Sequence, residues 1–554
     1  MRGMSPSRPR NALDQGSVVF GTDQGRDPVF LNCEVIPSQE FAQMMLVLGS
    51  VVRSNFNPRP VDHSDYQRWV QGQYLAELAA GPHSNLIVAT TKLRASQQAL
   101  SDRVVQLRNQ VRQLDSEVQR LATPVKVAKA RRKFWDWLYN ADRDAWIVLD
   151  PIVSVQSANT YFEAFSEDES SYVRVNLPHS EIKADQDIVR GTTNIDFSVA
   201  LEREFARIRT YRPLRLRVGV NSVSVATRDS EALEEKIDLP DSWVNGLVEV
   251  QAALTIVPAS FKISAQTLAA IIGKLARHSD KEGPRSIIFD LQPGEPIRIM
   301  LEPWSWEIVE SDHIYQGRQP QRIRIWGRRR LVLLEPLLHE VQDVDVSLLG
   351  SGMPSFWSVK VAGMELLLGL SGWSRLDWAA KARFSGFRPR GTISQADLVL
   401  AEEVLAELEV SDPETFASQL DIDLPSARAT LNSLCAAGKA LFDPTSGAYS
   451  HRVLFPDWSQ SDDEAGLEER IGYEIFRSGG VRIFADEMVN AVAVFDAHCS
   501  EANKTQTFTV NLQLDADSRV SYAQCSCPNF RFHKLRKGPC RHIVATLIKV
   551  SDAQ

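Results

Sequence analysis

Cys525-Ser-Cys527, a twelve-residue spacer and then Cys540-Arg-His542 constrain this chain more than any other stretch. Three thiols and one imidazole make a closed tetrahedral Cys₃His set, the ligand chemistry of structural zinc, with no position left for a substrate. Half of the six cysteines fall within sixteen residues, which argues against chance. Cys-x-Cys puts two thiolates on one tight turn, here carrying Pro528, and Cys540 and His542 open an apolar helical stretch through Ile543, Val544, Leu547 and Ile548. Upstream, Phe508, Val510 and Leu512 alternate, as do Val520, Tyr522 and Gln524, so two strands lead into the first thiol pair. The result is a ββα-type unit of about fifty residues, small enough to need a metal for stability. His533, between the pairs, reads as a solvated loop histidine.

Cys-x-Cys…Cys-x-His, with Cys-Ser-Cys-Pro and Gly-Pro-Cys-Arg-His-Ile-Val-Ala around it, closely resembles the SWIM zinc finger. The resemblance implies a DNA- or protein-binding role without catalysis. Gly191-Thr-Thr-Asn-Ile-Asp-Phe197, Trp326-Gly-Arg-Arg-Arg-Leu331, Leu349-Gly-Ser-Gly-Met-Pro-Ser-Phe-Trp357 and Gly369-Leu-Ser-Gly-Trp373 with Asp377-Trp378 extend it. Together they resemble the larger bacterial SWIM-finger proteins from about residue 140 onward. Members of that group are often encoded beside MoxR-type AAA+ ATPases and von Willebrand A-type proteins, which implies a protein partner of one of those kinds.

A length of 554 residues suggests about three or four domains. Six cysteines are too few for a disulfide framework, and Cys33, Cys435 and Cys499 are scattered, so a reducing, cytoplasmic compartment is expected. The N-terminus lacks the apolar core of a signal peptide, and no apolar run approaches a membrane span. A net charge of −8 confines any nucleic-acid binding to local patches.

The expected fold is α+β and multidomain. Residues 1–28 read as a disordered tail, and 29–63 as the start of an N-terminal α+β domain with a helix from Phe41 to Val52. Residues 64–140 read as a helical, coiled-coil-like segment. Leu93, Leu100, Leu107, Leu114 and Leu121 recur every seventh residue, with Val104, Val111 and Val118 in the other seam position. That seam, about 43 Å long at about 1.5 Å per residue, suits a homodimer through 93–121 or an intramolecular helical hairpin. Residues 141–390 mix strands and helices without the regular alternation of a doubly wound sheet.

Residues 391–456 suggest a winged-helix-like domain. Helices are expected at Ala401–Leu408, from Pro413 and from Pro425, then a hairpin from Ala440 to Phe455. A helix-turn-helix invites a DNA reading, but Ser411–Pro456 carries five acids and three bases, and DNA readers need phosphate neutralisation. Packing on neighbours or binding protein is the stronger reading. Residues 457–470 read as an acidic linker, and 471–554 as the zinc-finger domain.

Catalytic motifs are missing from the sequence. There is no Walker loop, His339-Glu340 lacks the second histidine of His-Glu-x-x-His, and Gly369-Leu-Ser-Gly is one residue short of a nucleophile elbow. No enzyme is expected. Two basic clusters stand out instead. Arg531, Lys534, Arg536, Lys537 and Arg541, with Phe530 and Phe532 interleaved and no acid from Pro528 to Arg541, suit phosphates and stacked bases, a protein partner, or a solubilising loop with core phenylalanines. Arg318, Arg322, Arg324, Arg328, Arg329 and Arg330 form the second, for which pairing with acids elsewhere is favoured. Together these features predict one structural zinc in a non-catalytic adaptor, with DNA binding through the finger loop as the alternative.

Overall fold

Alternating side chains along the strand Ser171–Pro178 divide the interior in two: Val173, Val175 and Leu177 enter one core and Tyr172 enters another. The same split runs through Met364–Leu370, where Leu366 and Leu368 face the first core and Leu367 the second. These strands are central in an eight-stranded antiparallel sheet, buried on both faces. Its order is Ala259–Ser264, Asp343–Leu348, Ser355–Val361, Met364–Leu370, Ser171–Pro178, Asn159–Phe165, Ile152–Val155 and Gly191–Asn194. Gly369 is required where three strands meet, because a Cβ there would lie 2.9 Å from the ring of Phe356.

In this computed structural model, residues 29–56 and 151–553 are described, except 195–198, 210–213, 220–221, 228–229, 236–240, 279–284, 373–377, 379–382, 388–394, 455–466, 490–491, 502–505, 516–518 and 537. They belong to one of two compact units, Met1–Phe56 with Leu149–Gln554; the other is Asn57–Val148. The expected tail at 1–28, the helical segment at 64–140 and its seam at 93–121 lie outside the described residues.

The first core is closed by the helices Ser38–Val52 and Ala265–Arg277, the 3₁₀ helix Arg328–Leu337 and two smaller sheets. Phe41 and Met45 occupy the buried side of Ser38–Val52, while Ser264 caps Ala265–Arg277 by accepting from the Thr267 N–H. The strands Ile287–Leu291 and Pro296–Leu301 pair across the Pro293-Gly294 turn.

The second core holds the helix Asp241–Leu254, the segment 395–454 and the C-terminal region. The segment 395–454 contains the helices Gln395–Leu408, Pro413–Leu420 and Leu424–Ala436 and a three-stranded sheet of Val410–Ser411, Ala440–Asp443 and Ala448–His451. Asp412 and Asp423 cap the second and third helices, each with a proline at the first or second helical position behind it. Buried ion pairs lock this segment to the large sheet. Arg174 donates to Asp443 at 2.9 Å and to the Phe442 carbonyl at 3.2 Å, and Arg452 pairs with Glu163, which also accepts from the Tyr172 hydroxyl.

The C-terminal region is an antiparallel meander of Val481–Val489, Val492–Ser500, Thr507–Leu514 and Val520–Cys525, covered on one face by the helix Arg541–Ala553, on which Leu467–Arg477 packs. One expectation needs correction. The linker 457–470 does not extend to its expected end, because residues 467–470 already form the first turn of a helix that packs on Arg541–Ala553. The finger is seated on the body. The Val257 N–H donates to the Val520 carbonyl, and Gly386 lies where a Cβ would be 2.8 Å from Pro539, so finger and body share one core.

Candidate metal centre

Cys525 ends the last strand of the meander, and Cys527 caps the short knuckle helix Pro528–His533, its Sγ accepting from the Phe530 N–H at 3.3 Å. Pro528 suits the first helical position, where no donor is needed. The Cys527 N–H points to Cys525 Sγ at 3.4 Å, the tight turn expected of Cys-x-Cys. The chain returns through Gly538 at φ +99°, where a Cβ would lie 2.1 Å from the Arg383 carbonyl oxygen, so only glycine lets the knuckle seat on the body. Cys540 then precedes Arg541–Ala553, and His542 sits in its first turn.

The three Sγ atoms and one imidazole nitrogen all lie within 4.8 Å of one another, and all four residues are buried. Tetrahedral zinc, with sulfur at about 2.3 Å and nitrogen at about 2.0 Å, needs ligand atoms roughly 3.5 to 3.8 Å apart. The Cys525 Sγ to His542 Nδ1 distance is 3.8 Å. The other ring nitrogen, Nε2, accepts or donates no hydrogen bond and faces Glu501 Oε1 at 3.6 Å, placing a carboxylate behind the imidazole. The set fits one structural zinc ion. Zinc would keep all three cysteines as thiolates.

The sequence missed three neighbours of this site. Glu468 accepts from the Arg541 backbone N–H at 2.9 Å and from its guanidinium at 2.6 and 3.1 Å. Cys499 lies against the His542 carbonyl and Thr546, its thiol raised by burial to about 11, and stands outside the ligand set. Phe508 covers His542, ring to ring at 4.6 Å. Strand pairing brings Cys499 and Phe508 face to face, which no motif spacing records.

The five finger cations separate into different roles. Arg531 and Lys534 are exposed, and Lys534 stands 5.1 Å above the Phe530 ring. Arg536 folds back on the knuckle helix, donating to the carbonyls of Phe532 and His533. Arg541 is not a free phosphate ligand, because Glu468 engages it; Lys537 lies outside the described residues. His533 ends the knuckle helix rather than lying in a loop, and it stacks edge-on with Phe532. Of the two loop phenylalanines, Phe530 is core and Phe532 is 75% exposed.

The second arginine cluster divides: Arg318, Arg322 and Arg329 are exposed, Arg324 is half-buried, and Arg328 and Arg330 are buried. Arg328 donates to the carbonyls of Ser286 and Glu302 and lies over Trp304, Arg330 donates to the Ser170 carbonyl, and Arg324 pairs with Glu302 at 2.9 Å. The favoured pairing with acids holds for Arg324, whereas backbone carbonyls take Arg328 and Arg330. In the segment 395–454, the helix Leu424–Ala436 is buried at Ala427, Leu431 and Leu434 and also at Thr430 and Asn432, and Arg428 pairs with Glu414. A cleft of about 580 Å³ beside this segment gathers Glu402, Lys439 and His451, with Lys439 at 3.1 Å and His451 at 3.8 Å from Glu402. No helix among the described residues is long and apolar enough to cross a membrane.

Residues 508–551 match the family described as SWIM zinc finger, which spans the whole ligand set. No curated protein matches the chain. Among solved structures, proliferating cellular nuclear antigen from Entamoeba histolytica is similar at 11% identity, covering 40% of this chain and 89% of that one with a TM-score of 0.31. A PCNA2–PCNA3 complex from Sulfolobus tokodaii is similar at 12% identity over 40% and 89%, with a TM-score of 0.32. Scores this low establish no shared fold.

Proposed function

We propose that this chain is a zinc-containing, non-catalytic interaction protein that works as a cytoplasmic adaptor in a multiprotein assembly. The completeness of the Cys₃His set carries the reading. Four protein ligands close a tetrahedral ion, so the metal serves geometry and offers no open position to a substrate. What the metal holds rigid is the knuckle, which presents Arg531, Phe532 and Lys534 outward. Three helices followed by a hairpin support a winged-helix-like reading of 395–454. Its acidic balance, its buried third helix and its hairpin tied down by Arg174 favour internal packing or protein contact over DNA.

Affinity capture of the full chain from native lysate, with and without nuclease, tests the adaptor reading. A protein retained after nuclease, and lost with R531A/F532A/K534A, is expected; the ATPase and von Willebrand A-type classes implied by the family resemblance are the first to look for. Capture that vanishes with nuclease sinks it. The exposed aromatic between two cations also suits single-stranded nucleic acid. Fluorescence anisotropy that detects no oligonucleotide binding at about 50 mM salt rejects that second reading.

A further inference from the structure

Phe532, 75% exposed, and Met488, 72% exposed, are the two most exposed large apolar side chains among the described residues. They stand at opposite ends of one sheet. Met488 pairs with Ala493 and Val489 with Val492 at the tip of the hairpin formed by the first two finger strands. The knuckle follows Cys525 at the other end, where Val510 pairs with Cys525 and the Ser526 N–H donates to the Thr509 carbonyl.

Their charges are opposite. Around Met488 and the 45% exposed Val489 stand the exposed acids Asp486 and Glu487, and no lysine or arginine occurs from Phe484 to Asp496. Around Phe532 stand the exposed cations Arg531 and Lys534, and no acid occurs from Pro528 to Arg541. Neither pair of charges has an ion-pair partner within the described residues. Met488 and Val489 are strand neighbours that point to opposite faces, and both are exposed, so the tip is apolar on both faces. A register shift between Ile483 and Ala485 interrupts the edge strand, which disfavours strand addition along that edge and leaves the tip as the docking element.

We infer that the acidic, apolar hairpin tip of one copy of this chain docks on the basic, aromatic knuckle of a second copy. The tip lies level with Leu514 and the knuckle with Thr509, about 17 Å apart along the strand at roughly 3.4 Å per residue, and they sit on the two outer strands of the four-stranded sheet. One finger therefore cannot satisfy both. Docked reciprocally about a two-fold axis, tip on knuckle and knuckle on tip, two copies close a dimer; docked in one direction only, they continue to a ring or an open filament.

Light scattering on the full chain, 62.0 kDa per copy, tests this. At about 50 µM in roughly 0.1 M salt the average mass should be at least that of a dimer, and it should fall toward the monomer at roughly 0.5 M salt as ion pairs are screened. D486K/E487K and R531E/K534E should each lower the mass at least twofold on their own. An equimolar mixture should regain it, since the reversed tip of one variant fits the reversed knuckle of the other, and the quadruple variant should assemble by itself. Zinc content and circular dichroism identify any misfolded variant, and the salt titration of unmutated protein stands without them. A monomer or salt-insensitive dimer at about 50 µM, a mass unchanged by either swap, or a mixture of folded variants that stays small would overturn the inference.

Discussion

Glu468 clasps Arg541 with three hydrogen bonds, two to the guanidinium and one to the backbone N–H that opens the C-terminal helix. Arg541 lies between Cys540 and His542, so an acid seventy-three residues away holds the segment that carries two of the four candidate ligands. Burial pushes the Glu468 carboxyl up, but the Arg541 hydrogen bonds and charge outweigh it and hold it below the ordinary carboxylate value. Its contribution is therefore complete above about pH 5 and is lost as pH falls through the lowered value. Glu468→Gln should lower stability at about pH 7 by about 1 kcal/mol, a carboxylate cap plus a half-buried pair. Denaturant titrations at neutral and at acid pH check it: the gap between variant and unmutated protein should narrow in acid, and a constant gap counts against it.

The protein should bind one zinc, and Cys525→Ser or Cys540→Ser should lose it. Because the finger and the segment 395–454 share a core, the damage should spread. Hydrogen exchange should rise in Leu424–Ala436 as well as in the finger. Elemental analysis and exchange mass spectrometry read both, and loosening confined to residues after 467 would contradict the shared core.

Arg452 and Glu163 form a fully buried ion pair between the hairpin and the large sheet. Replacing one partner strands the other charge, so Arg452→Met should cost about 3 to 5 kcal/mol. The double replacement R452M/E163L should recover much of that loss. Thermal or denaturant unfolding of the three variants measures the coupling, and a single variant as stable as the unmutated protein would refute it.

Gly538→Ala should weaken the seat of the knuckle. A Cβ there meets the Arg383 carbonyl, and φ +99° is itself unfavourable for alanine. The combined cost should be about 1 to 3 kcal/mol, with faster zinc release to a chelator. Unchanged stability and release would show that the knuckle does not lean on residue 383.

The helix at Ser38–Val52 and the proline-started helices of 395–454 were legible because local rules specify them: apolar periodicity, caps, and the fixed φ of proline. The ligand set was legible for a related reason. Cys-x-Cys and Cys-x-His each confine two ligands to one turn, so only a single long-range contact joins them.

The sequence by itself therefore determined the metal, its four ligands, the α+β class and the elements with strong local signals, all of which depend on neighbours a few residues apart. Tertiary structure alone decided which charges are free. Arg541 is spent on Glu468, Arg328 and Arg330 are buried on carbonyls, and Arg174 and Arg452 pin the hairpin. Arg531 and Lys534, from the same short loop as Arg541, remain outside. A charged side chain has no periodicity that announces its partner; desolvation makes the partner obligatory only once the chain has folded around it.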